Sequence, residues 1–326
     1  MGPWDKNRRS FKFQGHTGRC NNRAMSDLPA EYRPPTHDTL ANLPTGLPNP
    51  DVPVVRGIEY AQILGFRPLR MDVLMPSGEG PHPVVLYVHG GAFMMGSRRE
   101  NWVAAPLWRA LLDAGIAVAP VEYRLSGEAL FPACVNDVSA AVRWLSTYGE
   151  ALGLMPDAIG VIGESAGGYL SAFLAMNSTD PRITGTDGVA VGDSAVRAAV
   201  AWYPPTDFAH MDEQATVPGS MAHGPADSPE SLLVGVPVST ASDAVRFASP
   251  IAHANPGAAP LLLIHGELDR AVPSGQSVAL ADRMREVGAS VELDVIAGAD
   301  HVFEGVDRAP IIERSVAFLV GHLRSV

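Results

Sequence analysis

From residue 83 to the end of the chain, apolar runs alternate with stretches spaced like amphipathic helices. "VVLYVHG", "IAVAPVEYR", "AIGVIG", "RAAVAWYP" and "APLLLIHG" lack a polar alternation, as strands covered on both faces do. "SVELDVIAG" adds another strand. Between them fall "RRENWVAAPLWRALLDAG", closed by Gly115, and "PACVNDVSAAVRWLSTYGEALG", opened by Pro132 and ended near Gly153. "SAGGYLSAFLAMN", "PSGQSVALADRMREVG" and the C-terminal "APIIERSVAFLVGHL" complete the helical set. The alternation predicts an α/β fold, a mostly parallel central sheet with helices on both faces. Ahead of it, "GIEYAQILG" and "RPLRMDVLMP" read as two strands around a turn. Residues 204–258 break the rhythm with only short helical stretches. A segment that long between core strands reads as a cap or lid.

The expected organisation is one domain over residues 56–326, preceded by an arm or cap segment at 25–55 with a short helix near 36–42. Residues 1–24 are basic and polar, without the apolar stretch of a signal peptide. Because Met25 offers a second start, they read as a disordered upstream extension, with a basic arm as the alternative. The net charge of −11 and pI near 5.3 exclude nucleic acid and anionic membrane surfaces as natural partners. No apolar run reaches the ~18–20 residues of a membrane helix, so stable membrane association is not expected and the default location is cytoplasmic. A homodimer remains open. The two cysteines, Cys20 and Cys134, do not make a disulfide framework.

The chemistry centres on "VIGESAGGYL", residues 161–170. A strand must turn into a helix at Ser165, within the G-x-S-x-G pattern of Gly163, Ser165 and Gly167. Such a corner strains the backbone, lifts the hydroxyl out of the sheet and sets a helix N-terminus beneath it. A serine needs a base, and the base needs an orienting acid. "LLLIHGELDRAVP" places Asp269 in the turn after one strand, and "DVIAGADHVFEG" places His301 in the loop after the next. All three stand at carboxyl ends of predicted parallel strands. Glu267 and Asp300 are rival acids. Glu267 shares the turn, whereas Asp300 abuts His301, and adjacent residues rarely reach each other's rings. His265 reads as a structural strand end. His89, His210, His223 and His253 show no zinc-ligand spacing, so no metal is expected.

"YVHGGAFMMGS" supplies the remaining part. Acyl transfer needs backbone donors for an oxyanion, and Gly90 and Gly91 let the backbone approach closely. Their amides and that of Ala166 are the candidate oxyanion hole, with His89 holding the loop. Phe93, Met94, Trp202 and Tyr203 are candidate substrate-binding residues, as an apolar acyl or aryl wall.

On these motifs the chain resembles the α/β-hydrolase fold, and within it the hormone-sensitive-lipase-like bacterial esterases. "HGGAF" resembles their oxyanion motif and "GESAGG" their nucleophile corner. "VEYRLSGEALFPACVNDVSAAVRWL" resembles the segment between, and "HGELDRAVP" and "GADHVF" the acid and histidine segments. The H-G-x-x-D-x-x-V-P form, with "SPESLLVG" and "ASPIAHA", leans towards the acetylxylan and feruloyl esterase-like branch. The resemblance covers roughly residues 55–325. It implies a cofactor-free serine esterase acting on small short- to medium-chain acyl or aryl esters, with nucleophile Ser165, base His301 and acid Asp269. Ala92 departs from the usual Gly of the oxyanion motif and bears on acceptance of bulky tertiary alcohols. Glu164 stands where Asp is commoner and reads as a structural hydrogen-bonding residue. An arylformamidase or amidase would use the same triad. A non-catalytic ligand-binding homologue would typically lack one of its members.

Overall fold

Eight strands form one sheet in the computed structural model, which describes residues 52–99, 104–188 and 192–324. They are β1 (Val54–Ala61), β2 (Leu69–Leu74), β3 (His82–Val88), β4 (Ala117–Val121), β5 (Leu154–Glu164), β6 (Ala198–Trp202), β7 (Leu261–Gly266) and β8 (Val291–Ile296). Their spatial order is β1-β2-β4-β3-β5-β6-β7-β8. β2 pairs antiparallel with β1 and with β4, and every other pairing is parallel. The longer helices are α1 (Ala105–Asp113), α2 (Ala133–Tyr148), α3 (Ala166–Ala175), α4 (Gly275–Glu286) and α5 (Ala309–Leu323).

The continuous apolar runs have a plain cause. Side chains alternate across a strand, and here both faces are covered. Val84, Leu86 and Val88 of β3 pack in one core with Val138 and Leu145 of α2, Leu170 of α3, and Leu280 and Met284 of α4. Val85 and Tyr87 face the other way, into a core with Leu107 and Leu111 of α1 and Phe318 and Leu319 of α5. Cys134 of α2 is buried as a free thiol, and burial pushes its pKa up to about 12, which makes it packing rather than chemistry. Cys20, the 1–24 extension, the helix expected near 36–42 and all but the last four residues of the 25–55 arm lie outside the described residues.

After β3 the chain runs outward to β4, then returns to β5 on the opposite side of β3 and proceeds the other way. That reversal opens a crevice at the carboxyl ends of β3 and β5, where ligands collect on open α/β sheets. The 204–258 segment adds the short helices Met211–Gln214, Pro229–Val234 and Asp243–Phe247. Ser228 and Ser242 cap the last two by accepting backbone N–H bonds. Phe208, Met211, Leu233 and Val245 anchor the segment in the core with α2 and α3. Among the described residues no helix is long and apolar enough to cross a membrane.

Candidate active site

Ser165 lies between β5 and α3 at φ 52° and ψ −116°, a strained backbone for a residue with a side chain. Its N–H donates to the Trp202 carbonyl at 2.9 Å, which ties the corner to the end of β6. The flanking glycines are required by contact. A Cβ on Gly167 would stand 2.0 Å from the Val88 carbonyl oxygen, and one on Gly163 2.3 Å from the Gly167 oxygen. Both obstacles are backbone and cannot swing aside. Gly167→Ala is therefore expected to cost at least about 3 kcal/mol. A thermal melt checks this, and a variant melting with the wild type would refute the crowding argument.

Asp269 and His301 meet after β7 and β8. His301 Nδ1 donates to Asp269 Oδ2 at 2.7 Å. Asp269 Oδ1 accepts the N–H groups of Ala271 and Val272 at 2.9 and 2.8 Å. Asp269 as a whole is 1% exposed. Burial alone would raise its pKa, but hydrogen bonds and charge from His265 and His301 hold it well below the usual range. It is therefore ionised at neutral pH and fixes the proton of His301 on Nδ1, which leaves Nε2 free as a base.

His265 is the strand-end residue expected, and it does more than pack. Its Nε2 donates to the Val272 carbonyl at 2.9 Å and lies 3.4 Å from Asp269 Oδ2, and its Nδ1 accepts from the Ser277 hydroxyl at 2.7 Å. The rival acids are engaged elsewhere. Asp300 pairs with Arg270 and accepts the backbone N–H of His301, and Glu267 accepts the Gly298 N–H.

The loop after β3 brings Gly90 and Gly91 beside the serine. A Cβ on Gly90 would lie 3.5 Å from Ser165 Cβ. Ala166 opens α3, so its N–H is among the first-turn amides without an intrahelical acceptor. His89 holds this loop. Its Nδ1 bonds the Gly90 carbonyl at 2.7 Å, its ring stacks on Tyr123 at 4.4 Å, and the Tyr123 hydroxyl donates to the His89 carbonyl. Burial lowers the His89 pKa to about 4, against ~6.5 in an unfolded chain. Between those values the unfolded chain binds the proton that the folded protein refuses. Stability thus falls as pH drops from about 6.5 towards 4, by up to about 3 kcal/mol from this group. Urea melts at pH 7 and 4.5 should show this loss shrinking by about 2 kcal/mol in His89→Asn. An equal loss in both proteins would show that His89 is not the group responsible.

A cleft of about 390 Å³ joins these parts, lined by His89–Phe93, Met95, Glu164–Ala166, Tyr203, Pro205, Met221, His223, Pro229, Glu230, Ala271, Val272, His301 and Val302. Of the residues singled out from the sequence, Ser165, His301, Gly90, Gly91, Ala166, Phe93 and Tyr203 border it. Glu164 is hydrogen-bonded as expected, by the hydroxyls of Tyr87 (2.8 Å) and Tyr203 (2.9 Å). Burial and the Glu164 charge raise both phenols well above their ordinary pKa, so they stay donors.

Two expected lining residues are displaced. Trp202 shares the strand face of Ala198 and Val200, so period-two alternation sends it into the α1/α5 core, where its indole N–H donates to Ser315 Oγ at 3.0 Å. Met94 is 41% exposed and outside the cleft. The Gly91 carbonyl accepts the N–H groups of both Met94 and Met95, with Ala92 and Phe93 at positive φ. That turn buries Phe93 and puts Met95, not Met94, in the lining. His223 and Glu230 are lining residues the sequence did not single out. His210 pairs with Asp207, and His253 with the Phe247 carbonyl, both outside the lining.

The BD-FAE family model matches residues 71–284, from β2 to the end of α4. The chain belongs to the BD-FAE family. Two curated relatives are similar to this BD-FAE chain. Esterase LipQ of Mycobacterium tuberculosis is 28% identical over 242 residues, 73% of this chain and 55% of its own. Ethyl acetate hydrolase of Pseudomonas putida is 31% identical over 222 residues, 67% of this chain and 65% of its own. The chain spans about half the length of the mycobacterial esterases it matches. Among solved structures, a truncated carbohydrate esterase from gut microbiota is similar at TM-score 0.72 and 28% identity, covering 84% of this chain and 97% of that one. The α/β-hydrolase fold of a BD-FAE member is thus the one expected from the sequence.

Proposed function

We propose that this BD-FAE member is a serine carboxylesterase that needs no cofactor and acts on small, soluble carboxylic esters. The observation that carries the reading is the 2.7 Å bond from His301 Nδ1 to a buried, ionised Asp269, at a cleft that also holds Ser165 on its strained corner. His301 Nε2 takes the Ser165 proton as Oγ attacks the ester carbonyl carbon. The amides of Gly90, Gly91 and Ala166 receive the oxyanion. As the intermediate collapses, the carbon–oxygen bond to the alcohol breaks and the leaving oxygen takes the proton from His301. Water then adds to the acyl-enzyme by the same route and releases the acid.

Phe93, Met95, Tyr203, Pro205 and Met221 give the cleft apolar walls, and its volume suits a small ester. The esterase names of the relatives support the same reading. Hydrolysis of p-nitrophenyl esters from acetate to decanoate tests it, with Ser165→Ala alongside. Activity greatest on short chains and lost in the variant is the expected result. Equal hydrolysis by both proteins would sink the assignment of Ser165.

A further inference from the structure

Tyr203 follows β6 directly and stands at φ 40°, a backbone region uncommon for a bulky side chain. Its N–H donates to the Ile264 carbonyl at 2.8 Å, its hydroxyl donates to Glu164 Oε2 at 2.9 Å, and the residue is fully buried. Its ring meets the His301 ring, with centroids 4.7 Å apart and planes at 62°, and also meets Phe303 of the same loop at 4.8 Å. Glu164 immediately precedes Ser165 and lies opposite Trp202 in the β5–β6 pairing. Tyr203 therefore holds the serine corner through its hydroxyl and touches the base through its ring. Backbone strain persists only where the surroundings impose it, and here a strand, a carboxylate and two rings do so.

We propose that Tyr203, tethered by Glu164, is a positioning residue that fixes the tilt of the His301 ring and so sets the reach of Nε2 to Ser165, an inference that rests on the esterase reading above. The bond from Nδ1 to Asp269 fixes one corner of the imidazole. The second torsion of a histidine side chain has a broad energy well, so one corner bond leaves the ring free to rock and Nε2 to swing. The His301 side chain is 23% exposed, too open for packing on every side to stop that rocking. A neighbouring ring that is itself tied by its hydroxyl does stop it. The effect on rate is large because proton transfer needs the heavy atoms within hydrogen-bond reach, and a small misplacement of reacting groups costs up to about 10²-fold.

Two features separate this role from packing alone. Phe303, in contact with Trp202 and Tyr203, shows that a plain phenyl ring fills space in this cluster. A hydroxyl there needs an acceptor, and Glu164 supplies one although its carboxylate loses hydration. The second feature is the division of that carboxylate. Oε2 takes Tyr203, and Oε1 takes Tyr87 of β3 at 2.8 Å. The Tyr87 ring packs edge-on against Trp108 of α1 at 5.2 Å. The two phenols make the same bond to the same group, and the ring against the base is that of Tyr203.

The test measures kcat and KM for p-nitrophenyl acetate per active site titrated with diethyl p-nitrophenyl phosphate, which leaves unfolded protein out of the count. Tyr203→Phe keeps the ring and cuts the tether, and kcat is expected to fall about tenfold with KM within about twofold. Tyr203→Leu removes the ring and should lower kcat about 10²-fold. Tyr87→Phe deletes the same kind of bond from Glu164 away from the base. It should lower the thermal midpoint as Tyr203→Phe does, yet keep kcat within about twofold. If the Leu variant fails to fold, the two Phe variants decide alone. Wild-type kcat in Tyr203→Phe, a loss carried by KM alone, or an equal fall of kcat in Tyr87→Phe overturns the inference while leaving esterase activity standing. Failure of wild type to hydrolyse the ester would instead overturn the esterase reading and this inference with it.

Discussion

Ser165→Ala is expected to lower kcat on p-nitrophenyl acetate by about 10⁴- to 10⁶-fold and to leave the protein folded. The size follows from the loss of the covalent route, with only carbonyl binding and oxyanion stabilisation left. The fold should survive because the corner is held by its backbone. The N–H of residue 165 still donates to the Trp202 carbonyl, and the glycines at 163 and 167 still admit the crossing backbone. A thermal midpoint within a few degrees of wild type, measured beside the rate, separates loss of chemistry from loss of structure. A residual rate within tenfold of wild type would mean that another group attacks the ester.

The second large effect is expected at the acid. Asp269→Asn should lower kcat by about 10⁴-fold. The carboxylate now accepts from His301 Nδ1 and keeps Nε2 unprotonated. An amide group turned towards Nδ1 donates instead, which moves the ring proton to Nε2 and removes the base. The acidic rivals supply the control. Glu267→Gln and Asp300→Asn alter groups that hold the Gly298 N–H and Arg270 respectively, and should leave kcat within a few-fold. A steep fall in either, with Asp269→Asn mild, would transfer the role of acid. Steady-state kinetics of the three variants decides the matter.

The sequence carried most of the sheet and the three central residues because each follows from a local rule. Unbroken apolar runs mark strands covered on both faces. Ser165 and Asp269 each follow such a run and His301 follows the alternating edge strand VELDVI, so parallel packing delivers all three to one edge. Trp202 and Met94 were misplaced where a finer rule operates. One is a matter of strand parity, readable from Ala198 and Val200. The other depends on a turn whose positive φ values at Ala92 and Phe93 have no composition signature. His223 and Glu230 were illegible for a different reason. They come from a segment without periodicity, and only its anchoring through Phe208, Met211 and Leu233 carries them to the cleft.

The two halves of the site are fastened in different ways. Around Ser165 the ties are a backbone bond to Trp202 and two buried phenols on Glu164. Around His301 the loop leans on the ion pair of Asp300 with Arg270, whose side chains are 26% and 46% exposed. Dissolved ions screen an exposed pair and scarcely reach buried bonds between neutral donors and a carboxylate. Ionic strength therefore reaches the His301 side first: concentrated salt weakens the Asp300–Arg270 pair, while the buried bond of His301 to Asp269 and the serine corner keep their shape.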